Sequence, residues 1–79
     1  MVEFTNLRTD KDWIYADAHD IDFDAYAKVK ISKSKSEVEI NNINDKDNFI
    51  KKACWNLKDI YKENNNRLPR RDLIQIVWC

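Results

Sequence analysis

Two periods of apolar and polar residues run along this chain. From Trp13 to Ala18 the period is two, with Ile14, Ala16 and Ala18 on one face and Trp13, Tyr15 and Asp17 on the other, the pattern of a half-buried strand. The alternation then resumes. Ile21, Phe23, Ala25, Ala27, Val29 and Ile31 share one face, and Asp20, Asp22, Asp24, Tyr26, Lys28 and Lys30 the other. Parity changes between Ala18 and Ile21, and a turn at about His19 to Asp22 is expected there, because a one-residue slip inverts every side chain. Val2 to Leu7 is a weaker strand with Val2 and Phe4 on one side, and a polar break, Thr9 to Asp12, follows it. Ser32 to Ser36 reads as a second turn and Glu37 to Asn42 as a short strand pointing Val38 and Ile40 inward.

The second period is helical. Phe49, Ile50, Ala53, Cys54, Leu57, Ile60 and Tyr61 recur at spacings of three and four, which predicts a helix that buries one face. Asn44 or Asp45 suits its N-cap, Asp45 and Asp47 place negative charge at its positive end, and it should run to about Glu63. Asn64, Asn65 and Asn66 stop it where most chains use a left-handed glycine. Leu73 to Trp78 is an apolar, β-branched run that predicts a last strand, expected to be central for want of polar residues.

The expected fold is therefore α+β: an antiparallel β meander of four or five strands with one long amphipathic helix packed on one face and a C-terminal strand after the helix, all in one small domain, residues 1–79. One helix covers about two or three strand widths, so some sheet surface is left over. Trp13, Tyr15 and Tyr26 fall on the face away from the helix and should be covered by the N-terminal segment, by a second copy of the chain, or by a partner.

The outer side of the helix is the other candidate surface. The seven stripe residues span about 140° of the wheel, and Trp55 falls close to the opposite side. Lys51, Lys52, Lys58 and Lys62 surround it, with Asn48 and Asp59 between. An exposed indole among lysines suits a macromolecular interface, where tryptophan supplies buried area and lysine supplies steering.

Composition narrows the function by exclusion. Glycine is absent, which removes the phosphate-cradling loops that need a bare backbone, the P-loop and the dinucleotide fingerprint among them. No apolar run approaches a membrane span and the first residues lack a signal peptide's pattern, so a cytoplasmic protein is expected. Net charge is zero, yet residues 1–27 carry −5 and residues 28–79 carry +5. Antiparallel pairing of Lys28 and Lys30 with Asp17 or Asp22 would cancel that asymmetry. Abundant Asn, Lys, Ile and Asp without glycine suggests an AT-rich coding genome, such as that of a low-GC bacterium or a phage.

Candidate chemistry is thin. Asp20, Asp22 and Asp24 match the first three ligand positions of a calcium loop, but Ala25 stands at the required glycine and Ile31 at the closing glutamate. His19 is the only histidine, and no thiol or serine is placed beside it. Cys54 on the helix stripe and the terminal Cys79 read as free thiols. No catalytic, metal or cofactor residues and no small-molecule substrate are expected. Arg67, Arg70 and Arg71 around Pro69 suit either capping of helix carbonyls or, with the helix lysines and Trp55, contacts to the phosphates and bases of RNA or DNA. The pI of about 6.6 lies well below that of most dedicated nucleic-acid binders. The leading expectation is a non-enzymatic protein-binding module: an inhibitor, antitoxin-like factor or regulatory subunit, for instance a phage-encoded blocker of a host enzyme or defence system. Its partner would be another protein or a homodimer mate; nucleic-acid binding is the alternative.

Overall fold

A computed structural model of the protein describes residues 1–41, 49–70 and 72–76. In chain order these form β1 (Val2–Thr9), β2 (Trp13–Asp20), β3 (Ala25–Ser32), β4 (Val38–Asn41), α1 (Phe49–Glu63) and β5 (Leu73–Ile76). The strands make one antiparallel sheet in the order β4-β3-β2-β1-β5. This is the expected α+β architecture of a meander, one helix and a returning strand. β5, however, is an edge strand and not a central one. It lies beside β1, with Val2 opposite Ile76 and Phe4 opposite Ile74, and its apolar residues reflect the helix above it: Ile74 and Ile76 are buried while Leu73 and Gln75 are exposed.

The core lies between the sheet and α1. Val2, Phe4, Ile14, Ala16, Ala18, Ala27, Val29 and Ile31 face Ile50, Ala53, Cys54 and Leu57. Alanines at four inward positions of β2 and β3, Ala16, Ala18, Ala25 and Ala27, let the helix backbone come close. The sheet is not left half uncovered on this side, because α1 touches all five strands. A helix of 15 residues is about 22 Å long at 1.5 Å per residue. Five strands put about 19 Å between the outermost strand axes. A helix laid across the strands thus reaches both edges, whereas one laid along them would cover two or three.

Three local features depart from the alternation. β2 continues through Asp20, and β3 begins only at Ala25, so Ile21 to Asp24 form the turn and Ile21 and Phe23 do not share the inner face. Asp20, expected on the polar face, points inward and is buried; its Oδ1 accepts the backbone N–H of Asp22 at 3.1 Å, an Asx turn that replaces glycine chemistry. The third feature is a bulge in β1. Thr5 pairs with Asp17 but Arg8 with Tyr15, so three steps on β1 oppose two on β2. Asn6 takes φ 52° there, a left-handed value that asparagine tolerates better than most residues. The extra residue reverses the parity of β1, sending Leu7 toward the core and Arg8 to the outer face.

Asn65 and Asn66 both have φ 58°, as expected of asparagines that end a helix in place of glycine. The expected cap, Asn44 or Asp45, lies outside the described residues.

Candidate protein-binding face

The sheet surface opposite α1 is laid out in rows by strand register. Tyr26, His19, Glu3 and Gln75 form one row; Asn41, Lys28, Asp17, Thr5 and Leu73 the next; Glu39, Lys30, Tyr15 and Arg8 the third; and Ser32 and Trp13 the last. Trp13, Tyr15 and Tyr26 are all on this face, as the alternation implied, and no helix or strand among the described residues lies over it.

The three aromatics nonetheless have neighbours of their own. Lys30 Nζ sits 4.1 Å from the Trp13 ring centroid, the Arg8 guanidinium 5.4 Å from that of Tyr15, and the His19 ring stacks on Tyr26 at 4.0 Å with an interplanar angle of 3°. Long basic side chains cover ring faces with their stems while keeping charge in water. Trp13 and Tyr15 are half-buried for that reason, whereas Tyr26 remains 62% exposed. The expectation that only the N-terminal segment, a second copy or a partner would cover these rings is thus corrected in part by the face's own cations. Lys30 could be placed here from the alternation. Arg8 could not, since the bulge at Asn6 alone turns it outward.

Charges on this face come in both signs. Lys30 approaches Glu39 at 3.7 Å, and Asp17 lies opposite Lys28 in register. Of the anticipated pairings between the two halves of the chain, Lys28 with Asp17 is present, whereas Lys30 stands between Tyr15 and Glu39. Asp17 Oδ2 accepts a 3.4 Å bond from Asn6 Nδ2, and its Oδ1 is a buried acceptor with no donor among the described residues. It adjoins a recess of about 250 Å³ between Asp17, Tyr26 and Lys28.

The Trp13 and Tyr15 end is braced by Asp10. Its Oδ1 accepts the N–H groups of Asp12 and Trp13 at 2.9 and 2.8 Å, and its Oδ2 accepts the Tyr15 hydroxyl at 2.6 Å. Lys33 adds a bond to the Asp10 carbonyl. Donation by Tyr15, and then by the two backbone N–H groups, holds the Asp10 carboxyl below its ordinary 3.8, while the same bond to Asp10 raises the Tyr15 phenol above 10.0. The lowered acid contributes stability that is present above 3.8 and lost as pH falls through its folded value. The raised phenol contributes stability that is present below 10.0 and lost as pH rises through its folded value. Ultraviolet titration should therefore find one tyrosine ionising later than a free phenol, and Asp10→Asn should bring it back toward 10.0. A tyrosine titration identical in the two proteins would show that the bond does not hold in solution.

The helix surface differs more from expectation. The buried residues of α1 are Ile50, Ala53, Cys54, Leu57, Lys58 and Tyr61, with Phe49 and Ile60 half-buried at the margin. At 100° per residue the buried stripe is centred about 40° further round the wheel than the apolar pattern alone places it. Trp55 is consequently half-buried on the flank of the helix and does not point straight outward. Lys58, expected in the exposed ring of lysines, is 8% exposed; its Nζ donates to the Lys35 carbonyl at 2.7 Å and lies 5.8 Å from the Trp55 ring centroid. Lys51, Lys52 and Lys62 are exposed, and Lys52 sits 5.6 Å from the Phe49 ring centroid.

Arg67 and Arg70 are exposed beside a separate cleft at the end of α1; Arg71 lies outside the described residues. The sequence set this loop apart from the helix lysines around Trp55, and of those basic residues Arg67 and Arg70 line the cleft. No group of three or more metal-ligating side chains occurs among the described residues, and no helix there is long and apolar enough to cross a membrane.

Compared with protein-family models, curated proteins and solved structures, the chain matches none.

Proposed function

We propose that the protein is a small non-enzymatic binding module that acts by occupying a surface of another protein, as an inhibitor or regulatory factor, through the sheet face opposite α1. The observation that carries this reading is the ordered array of Trp13, Tyr15, His19 and Tyr26 on a face that no described helix or strand covers. Tyrosine, tryptophan and arginine concentrate binding energy at protein interfaces. Here they are set on rigid strands, so little ordering entropy remains to be lost on association.

The charges favour a protein over a nucleic acid. Lys28 and Lys30 face Asp17 and Glu39 on the same surface, so a polyanion would meet carboxylates wherever it met lysines. A protein surface of alternating sign could satisfy both, and a donor from such a partner could complete the hydrogen bonding of Asp17. The inward turn of Lys58 also weakens the basic helix face on which a nucleic-acid reading rests.

The test is a nuclease-treated pull-down comparing the unaltered protein with Tyr26→Ala combined with Lys28→Glu, and with Lys51→Glu combined with Lys52→Glu. All four positions are exposed, so the fold should survive, as circular dichroism would verify. The expected result is a protein partner lost with the sheet variant and kept with the helix variant. Loss with the helix variant alone, or capture that nuclease abolishes, would overturn the proposal.

A further inference from the structure

A cleft of about 730 Å³ lies between the end of α1, the segment after it and β5. Ile60, Leu68 and Ile74 supply its apolar lining, while Arg67, Arg70 and Glu63 supply its charges. We propose that this cleft binds an extended, acidic segment of a partner protein, laid along β5 as an added strand. The inference rests on observations separate from those that support the sheet face.

The first observation is the sheet edge. β5 pairs with β1 on one side, and no strand among the described residues pairs with the other. An open edge presents backbone donors and acceptors that an extended chain can satisfy, and alternate side chains of that chain then enter neighbouring pockets. The cleft adjoins this edge, since Ile74 and Gln75 of β5 are part of its wall.

The second observation concerns the arginines. Basic residues just after a helix commonly bond its last carbonyls, but here the bonds at the helix end run through Asn64 and the backbone N–H of Arg67. Asn64 N–H donates to the Ile60 carbonyl at 3.0 Å, the Asn64 carbonyl accepts the N–H of Arg67 at 3.2 Å, and Asn64 Nδ2 donates to the Arg67 carbonyl at 3.0 Å. The guanidinium groups of Arg67 and Arg70 make no ion pair or hydrogen bond among the described residues. Two planar, five-donor groups held beside an apolar floor fit carboxylates that flank an apolar side chain.

The same features favour peptide over nucleic acid. A nucleic acid has no peptide backbone with which to extend a strand edge, and Glu63 beside the arginines would repel its continuous run of phosphates. A peptide can set its carboxylates on Arg67 and Arg70 and turn other positions toward Glu63.

The experiment titrates the full, isotope-labelled chain with a capped peptide of sequence Glu-Val-Asp-Leu-Asp-Val-Glu, following backbone amide signals. In parallel it uses the same peptide with lysine at each acidic position, and a ten-residue oligothymidine. The acidic peptide should shift the amides of Leu73 to Ile76, and Arg67→Glu combined with Arg70→Glu should weaken it by about tenfold or more while the spectrum stays dispersed. Tyr26→Ala, on the other surface, should leave it unchanged. Absence of shifts on β5, equal binding of the lysine peptide, affinity unaltered by the arginine substitutions, or tighter binding of the oligothymidine would each overturn the proposal.

Discussion

Replacing Leu57 by alanine is expected to lower the unfolding free energy by about 2–5 kcal/mol, a large share of what a domain this small possesses. Leu57 is fully buried, near the middle of the stripe that α1 presses onto the sheet. With Ile50, Ala53 and Cys54 packed around it, the cavity cannot close without moving the helix. Urea denaturation measures the effect. Ile60→Ala is the internal comparison: Ile60 is half-buried at the margin of the stripe, so its loss should cost clearly less. Equal costs would overturn the placement of Ile60 at the margin of the buried stripe.

Lys58→Met is expected to cost about 1.5–3 kcal/mol, the range for losing a hydrogen bond from a charged donor. Methionine keeps the apolar stem that packs beside the core and removes the ammonium that joins Lys35 O to the Trp55 ring. The indole would lose its neighbouring cation, so the tryptophan emission maximum should move as stability falls. If neither quantity changes, Lys58 belongs to the exposed lysines around Trp55, and the helix surface regains its standing as a binding site.

The elements were largely legible in the amino-acid order, for a local reason. A strand that buries one face must alternate and a helix that buries one face must recur every three to four residues, so β2, β3, β4 and α1 announce themselves. The Asn64 to Asn66 stop was legible for the same kind of reason, since a chain without glycine has few residues that accept a left-handed backbone. The exposed aromatic face followed from parity within β2 and β3.

What the pattern could not supply depends on where neighbours arrive. Ile21 and Phe23 continue the alternation but sit in a turn, because Asp20 bonds Asp22 N–H and ends the strand pairing there. Arg8 reaches Tyr15 only through the bulge at Asn6, a feature of two strands and not of one. β5 looked central because its inward residues are apolar, and hydropathy cannot tell a strand covered by sheet neighbours from an edge strand beneath a helix.

The sequence by itself determined the local periods, the helix stop, the α+β class and the side of the sheet on which Trp13, Tyr15 and Tyr26 lie, since each follows from residues close in the chain. Only the tertiary structure decided that α1 crosses all five strands, that its buried stripe turns to take in Lys58 and leave Trp55 on the flank, and that Arg67 and Arg70 border a cleft on an open strand edge. Those outcomes are set by contacts between residues far apart in the chain, such as Lys58 with Lys35 and Phe4 with Ile74. Burial, unlike hydropathy, is a property of such pairs and not of either residue.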